Sequence, residues 1–258
     1  VWSAAAATTI SQAASVILCL IHLSKKGTFY QLQLKKMNLN PRMLKEILRF
    51  GLPSGIQNSV IGLANVIVQT SINSFGKTAT AAYGSYAKIE GFAFLPVTSF
   101  TMALTTFTSQ NLGARKYDRA RRGSRFGILS AVLLAECIGV CIYVFSPWLI
   151  GLFTSDREVI NIGMHQAHTV ALFYCLMALS HAIAAVCRGA GKAFVPMFIM
   201  LSIWCVFRIL YILVIMQVCR KLDFIYWAYP LTWGISTVIY LLYYHFSDWM
   251  HGFEKKKR

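Results

Sequence analysis

Seven ionisable side chains lie well inside stretches of this sequence that are otherwise apolar. They are Lys88, Glu90, Glu136, His165, His168, His181 and Arg208. A charge inside an apolar stretch is costly when that stretch crosses a membrane, so such residues usually mark a pathway for ions or substrates. No GxSxG, HExxH or phosphate-loop pattern accompanies them. The set therefore predicts ion binding or proton transfer, and we expect no catalytic residues, no metal site and no enzyme.

Glu90 is the strongest candidate for coupling ion movement to a conformational change. From the rise of a helix, Glu90 lies about 12 Å inside the third apolar stretch, and Arg208 about 22 Å along the sixth from its opposite end. The two residues and Lys88 therefore fall at a similar depth in a core of about 30 Å. We predict that Glu90 faces a cavity and is neutralised by Arg208, Lys88, a proton or a metal cation. A structural ion pair without a transport role is the alternative.

Two neighbouring apolar stretches carry polar side chains at helical spacing. Asn58, Asn65 and Gln69 share one face of the second stretch, and Thr98 and Thr101 share one face of the third. Two adjacent polar faces predict the walls of a water-accessible cavity. The alternative is that these amides and hydroxyls hold helices together through hydrogen bonds.

The elements that must position these residues are seven apolar stretches. Each has about 20 residues or more, enough to cross a core of about 30 Å at 1.5 Å per residue. The chain is 57% hydrophobic and only 13% charged, whereas a soluble domain carries about a quarter charged residues. The sequence therefore predicts an all-α, polytopic transmembrane helix bundle. Its spans are 2–24, 52–74, 82–109, 124–146, 160–187, 193–218 and 224–246.

Positive charge is concentrated in alternate gaps between these stretches. Most of the 25 lysines and arginines lie in 25–51, 110–125, 188–192 and the tail 247–258. Because positive loops stay on the cytoplasmic side, the pattern places residue 1 outside the plasma membrane and the C-terminus in the cytoplasm. The formal charge of +16 then reflects loops resting on anionic membrane lipid, and we expect no nucleic acid partner.

The longest gap predicts a linker between two helical bundles. Asn40 and Pro41 are a good cap and first residue for a helix, and the residues that follow predict a short amphipathic helix on the cytoplasmic surface. Gly51 and Pro53 are expected to end that helix before the second span. The predicted organisation is a separate helix over 1–24, a linker over 25–51, a six-helix lobe over 52–246 and a basic tail over 247–258.

Three segments resemble the multidrug and toxic compound extrusion (MATE) transporters. FGLPSGIQNS at 50–59 is similar to the start of that family's C-terminal lobe, and RGAGKAFVP at 188–196 to the turn between its tenth and eleventh spans. The third span ends in the family's QNxGA signature, formed here by Gln110, Asn111, Gly113 and Ala114. We interpret this signature as structural: Gln110 and Asn111 cap the helix, and Gly113 permits the turn.

The resemblance implies a particular architecture and activity. Residues 1–24 would be the last helix of an N-terminal lobe, and 52–246 the whole C-terminal lobe. Such transporters export small amphipathic cations in exchange for Na⁺ or H⁺ by alternating access between their lobes. The N-terminal lobe is then the expected partner, and we expect a monomer without a cofactor. Some members place a carboxylate in the second and fifth spans; here those spans offer Gln57, Asn58, Asn65, His165 and His168, which leaves Glu90 as the local candidate.

Two other functions remain open at this point. A lipid-linked oligosaccharide flippase of the same superfamily would need a strongly cationic cavity, whereas Lys88 and Arg208 are the lysine and arginine that lie well inside the predicted spans. A seven-span receptor would share the predicted topology. It would usually carry an NPxxY-like seventh span, where this sequence has TyrProLeuThr at 229–232.

Overall fold

The computed structural model describes residues 2–25 and 40–250, which are almost entirely helical and form no strand. The α-helices in this part of the chain are α1 (Trp2–Leu23), α2 (Pro41–Asn73), α3 (Lys77–Gly113), α4 (Tyr117–Gly151), α5 (Arg157–Val170), α6 (Tyr174–Gly189), α7 (Phe194–Met200), α8 (Arg208–Val218) and α9 (Leu222–Phe246).

Two of the predicted spans are broken helices. A 3₁₀ turn at Ala171–Phe173 joins α5 to α6, and a π-helical segment at Leu201–Phe207 joins α7 to α8. A π-helical turn is closed by hydrogen bonds between residues five positions apart, instead of four as in an α-helix, and often occurs at functional sites. The described residues therefore form seven helical rods, one for each predicted span.

Five of these rods are long and apolar enough to cross a membrane, among the residues that the structure describes. They are Ala6–Leu23, Lys77–Gly113, Tyr117–Gly151, Arg157–Gly189 and Phe194–Val218. The predicted spans 52–74 and 224–246 form α2 and α9, which are not among these five. The prediction of an all-α polytopic membrane protein is confirmed.

The start of α2 follows the predicted cap, but its predicted interruption is wrong. The Asn40 side-chain oxygen accepts a hydrogen bond from the backbone N–H of Arg42 at 3.0 Å, as a capping asparagine does. The helix then continues through Gly51 and Pro53 to Asn73. A proline removes a single helical hydrogen bond, and membrane helices tolerate that loss when neighbouring groups satisfy the freed carbonyl. The linker residues 26–39 and the tail residues 251–258 lie outside the described part.

Contacts divide the chain into two units, Val1–Ile47 and Leu48–Arg258. The first contains α1 and the beginning of α2. The second contains the remaining helices, which pack around a core of large aromatic side chains. Tyr86, Tyr174 and Trp233 are fully buried there, and the hydroxyls of Tyr86 and Tyr174 lie 2.9 Å apart. Buried tyrosine hydroxyls need such partners, so this pair joins α3 to α6 specifically.

At the end of α3, the residues of the QNxGA signature do not form the turn in the way that the sequence predicted. The backbone carbonyls of Gln110 and Asn111 accept hydrogen bonds from the N–H groups of Ala114 at 3.0 Å and Lys116 at 2.8 Å. The left-handed residue of the turn is Arg115, with φ of 57°. Gly113 lies within the helix, so the turn does not depend on the backbone freedom of that glycine.

Close packing holds α6 against its neighbours at two glycines. A Cβ atom on Gly189 would lie 2.6 Å from the carbonyl oxygen of Thr105 on α3, and one on Gly139 of α4 would collide with the carbonyl oxygen of Ala171. The absence of side chains therefore lets α3 and α4 approach the rod formed by α5 and α6.

Candidate functional site

The residue with the strongest sequence signal, Glu90, lines a cavity inside the second unit. This cavity, which we call the Glu90 cavity, has a volume of about 340 Å³. Side chains from α2, α3, α6, α9 and the broken helix that contains α8 surround it. They supply a carboxylate, a guanidinium, an imidazole, two amides and five aromatic rings. The lining residues are Asn58, Ile61, Asn65, Tyr83, Ala87, Glu90, Phe94, His181, Trp204, Arg208, Tyr229 and Trp233.

Arg208 is held tightly in the wall of the Glu90 cavity. It is 1% exposed, and its Nη2 donates a hydrogen bond to the Thr232 hydroxyl at 2.9 Å. The guanidinium lies over the rings of Tyr229, at 4.7 Å, and Trp204, at 5.2 Å. Ring faces carry partial negative charge, so these contacts compensate part of the cost of burying the cation.

The π-helical segment places Trp204 beside Arg208. The Trp204 indole N–H donates to the hydroxyl of Ser236 at 3.1 Å, which fixes the ring against α9. The hydroxyls of Tyr83 and Tyr229 lie 2.9 Å apart and connect α3 to α9. The aromatic wall is therefore fixed by hydrogen bonds between helices as well as by packing.

Glu90 is half-buried and faces this wall from α3. The side-chain hydrogen bond of Arg208 goes to Thr232, so the cation is anchored to α9 rather than to Glu90. A carboxylate in such surroundings is free to accept a proton or a small cation that enters the cavity. Asn58 and Asn65 line the same space, and amide oxygens are among the ligands that hard cations take.

A second cavity of about 530 Å³ lies among α2, α3 and α6. We call it the Arg188 cavity, after the cation at the end of α6. Its lining is hydroxyls, amides and one thioether beside Arg188 and His181, without a carboxylate among the lining residues. These are Ser54, Gln57, Asn58, Thr101, Met102, Thr105, Thr106, His181 and Arg188. Asn58 and His181 line both cavities.

The structure brings five of the predicted residues to these cavities. Asn58, Asn65, Glu90 and Arg208 line the Glu90 cavity, and Thr101 lines the Arg188 cavity together with Asn58. Their helical spacing was informative because residues three or four apart face the same way.

Three other predicted residues lie elsewhere. Lys88 is exposed, and its Nζ lies 5.0 Å from the centre of the Phe153 ring. Lys88 and Glu90 are two positions apart, so their side chains diverge on a helix. Gln69 donates to the side chain of Asn73 at 2.8 Å, and the Thr98 hydroxyl donates to the carbonyl of Leu95 at 2.8 Å.

The remaining ionisable residues have contacts outside both cavities. His168 stacks on Tyr143 with ring centres 4.2 Å apart, and its Nε2 lies 3.1 Å from the Tyr143 carbonyl oxygen and 3.3 Å from the Ser146 hydroxyl. His165 is exposed. Glu136 accepts a hydrogen bond from the backbone N–H of Cys175 at 3.1 Å, at the beginning of α6. Packing explains His168, and helix capping explains Glu136.

Sequence reasoning gave no role to two cavity residues on α6. His181 was one of the seven ionisable candidates within apolar stretches but received no individual assignment, and Arg188 was assigned to a basic gap. They are seven positions apart, which places them on the same face of a helix, so their spacing held a usable signal. Within residues 2–25 and 40–250, no group of three or more His, Cys, Asp or Glu side chains is arranged to bind a metal.

Long helices around two polar cavities define a multi-pass membrane protein. The MatE family model matches residues 53–214 of the chain, and the chain belongs to this family. It is 27% identical over 255 residues to the probable multidrug resistance protein YoeA of Bacillus subtilis, covering 95% of this chain and 54% of that protein. It is 28% identical over 204 residues to the probable multidrug resistance protein NorM of Thermotoga maritima, covering 78% and 43%.

A solved structure has the same fold. An outward-facing multidrug resistance MATE transporter of the MOP superfamily superposes with a TM-score of 0.84 at 19% identity, covering 98% of this chain and 56% of the other. The chain therefore spans about half the length of the proteins it matches.

Proposed function

We propose that this chain is part of an ion-coupled antiporter that exports small amphipathic cations across the plasma membrane by alternating access. The coupling ion is Na⁺ or H⁺, and the other partners are membrane lipid and the N-terminal lobe of the same protein. In this proposal the gaps rich in lysine and arginine are cytoplasmic. The Glu90 cavity then lies in the outer half of the membrane, and the Arg188 cavity lies towards the cytoplasm.

The Glu90 cavity carries this proposal. It combines one carboxylate with five aromatic rings, and both attract an organic cation that has apolar groups. The same carboxylate accepts a proton or a small cation, so a substrate and a coupling ion would compete for Glu90. Competition for one site is sufficient for exchange if the cavity opens to one side at a time. Family membership and the names of the relatives support the same function.

Replacing Glu90 with glutamine tests the role of its charge. The measurement is efflux of a fluorescent cationic dye from cells that express the complete gene product containing this chain. We expect Glu90→Gln to reduce efflux by about tenfold or more, because an uncharged amide neither attracts the dye nor binds a proton. The variant should also lose the dependence of efflux on the coupling gradient.

Glu158→Gln is the matched control. Glu158 is exposed in the first turn of α5, so this substitution removes the same charge outside both cavities. It should retain efflux at the level of the unsubstituted protein. Glu90→Gln protein that reaches the membrane and transports with unchanged gradient dependence would contradict the assignment of Glu90.

The lining of the Arg188 cavity favours a second candidate function. This cavity contains a guanidinium and no carboxylate among its lining residues, which suits a phosphate group. A lipid-linked oligosaccharide flippase would need such a cavity for its pyrophosphate. If dye efflux is absent from cells in which the protein is present in the membrane, translocation of a lipid-linked oligosaccharide in proteoliposomes is the assay that would support this alternative.

A further inference from the structure

The two cavities meet at Asn58 and His181, the residues that line both of them. His181 extends from α6, with the Phe94 ring edge-on at 6.0 Å and the Trp204 ring edge-on at 5.1 Å. Polar space therefore lies on both sides of a single imidazole, and aromatic rings surround it where the two cavities meet.

The imidazole lacks a partner at one ring nitrogen. Nε2 of His181 is buried and makes no hydrogen bond to any described residue. An unpaired buried polar atom is costly, so such atoms are uncommon and need an explanation. His168 shows the usual arrangement in the same chain, with Ser146 and the Tyr143 carbonyl within reach of its Nε2. A transient partner, such as a proton delivered through water, would explain the difference.

Charged groups face His181 from both cavities. Glu90 and Arg208 line the Glu90 cavity, with the hydroxyls of Tyr83 and Tyr229, and Arg188 lines the other cavity. Burial among the rings of Phe94 and Trp204 opposes a positive charge on the imidazole, and Arg188 opposes it further. An imidazolium at this position is therefore a short-lived state, and the Glu90 carboxylate is the anionic group among the lining residues that would favour it.

We propose that His181 carries protons between the two cavities. A protonated Glu90 gives up its proton through cavity water, the O–H bond breaks, and an N–H bond forms at Nε2 of His181. The resulting imidazolium then releases a proton to water in the Arg188 cavity, which regenerates the neutral imidazole while Glu90 remains a carboxylate. This proposal rests on the proposed exporter function and names the proton as its coupling ion.

His181→Gln tests the relay, because glutamine has a similar size and polarity but its amide does not take up or release a proton between pH 4 and pH 9. The first measurement is tryptophan fluorescence of the purified complete gene product between pH 4 and pH 9. An imidazolium beside Trp204 quenches its indole, so the unsubstituted protein should show a pH-dependent step that His181→Gln lacks. His168→Gln is the matched control and should keep this step. If the unsubstituted protein and His181→Gln titrate identically, protons do not reach His181 and the relay is overturned.

The second measurement is dye transport by proteoliposomes driven by a pH gradient. His181→Gln should transport about a hundredfold more slowly while binding the dye with unchanged affinity, and His168→Gln should transport normally. Gradient-driven transport that persists in His181→Gln overturns the relay. Transport driven by Na⁺ alone overturns it too, but leaves the exporter function intact. Absence of dye transport by an unsubstituted protein that shows the fluorescence step counts against the proposed function alone.

Discussion

Glu136 shows how an intramembrane carboxylate can have a structural role. The side chain reaches from α4 to the backbone N–H of Cys175 at 3.1 Å, just after the 3₁₀ turn that separates α5 from α6. A helix that restarts inside a membrane has unpaired N–H groups and little water to satisfy them. The carboxylate supplies an acceptor there, and its charge also suits the positive end of α6.

The capping role of Glu136 predicts different effects for two substitutions. Glu136→Gln keeps a side-chain oxygen that can accept from Cys175, whereas Glu136→Leu leaves that N–H unpaired. We expect the leucine variant to lower the free energy of unfolding by about 1–3 kcal/mol and the glutamine variant to lose much less. Thermal unfolding of the purified protein in detergent measures both. Equal destabilisation by the two variants would show that the negative charge, rather than the acceptor, is needed.

Residue types and helical spacing predicted part of the candidate site. Asn58, Asn65, Glu90 and Arg208 were found because they are polar groups within apolar helices, and the structure brings them to one cavity. The spacing of His181 and Arg188 places them on one helix face, but the position of His181 between two cavities depends on helix packing, which no local pattern contains. The aromatic wall was equally hidden, because phenylalanine, tyrosine and tryptophan suit a lipid-facing surface as well as a cavity.

Hydropathy predicted that the helices exist and in which order they follow, but it predicted their ends less well. The third predicted span, 82–109, lies within the longer helix α3, and 124–146 lies within α4. Hydropathy detects the apolar centre, whereas the helices continue into polar ends where backbone hydrogen bonds still favour them. The 3₁₀ and π-helical breaks have no proline or glycine at Ala171–Phe173 or Leu201–Phe207. The breaks involve contacts between helices, such as that of Glu136 with Cys175, and a sequence pattern does not contain such contacts.

The contact between α3 and α6 predicts a requirement for glycine at position 189. A Cβ atom there would lie 2.6 Å from the Thr105 carbonyl oxygen and 2.8 Å from the Thr108 Cβ. Gly189→Ala should therefore force the two helices apart and lower the free energy of unfolding by about 1–3 kcal/mol. Thermal unfolding of the purified protein measures this change.

Gly113→Ala is the control for this contact. Gly113 is helical, and a Cβ atom on it would have no neighbouring atom within 4 Å. Alanine there should change the free energy of unfolding by less than about 0.5 kcal/mol. If Gly189→Ala were equally mild, α3 and α6 would be able to separate without loss of packing.

At the scale of the whole molecule, the distribution of charge predicts the orientation of the chain. The exposed Asp118 lies in the first turn of α4, within the basic segment 110–125, and the exposed Ser155 lies between α4 and α5. In a cysteine-free variant, Ser155→Cys should react with a membrane-impermeant maleimide in intact cells. Asp118→Cys should react only after permeabilisation, because its segment is predicted to be cytoplasmic. The reverse pattern would invert the proposed topology.

Orientation matters because it decides which cavity meets the outside first. With the basic gaps in the cytoplasm, protons or Na⁺ from outside reach Glu90 before they reach His181 and Arg188. An inward ion gradient would then displace a cationic substrate from Glu90 while the Glu90 cavity is open to the outside. Export follows from this order, since the substrate leaves where the ion enters.

Dye efflux with each ion gradient collapsed in turn tests ion-coupled export most directly. Cells expressing the complete gene product are loaded with a fluorescent cationic dye, and Na⁺ and H⁺ gradients are abolished separately with ionophores. We predict efflux above that of empty-vector cells, and we expect this efflux to be lost when one of the two gradients is collapsed. If His181 is a proton relay, that gradient is the proton gradient. Efflux no greater than in empty-vector cells, from protein shown to be in the membrane, would contradict the proposed function.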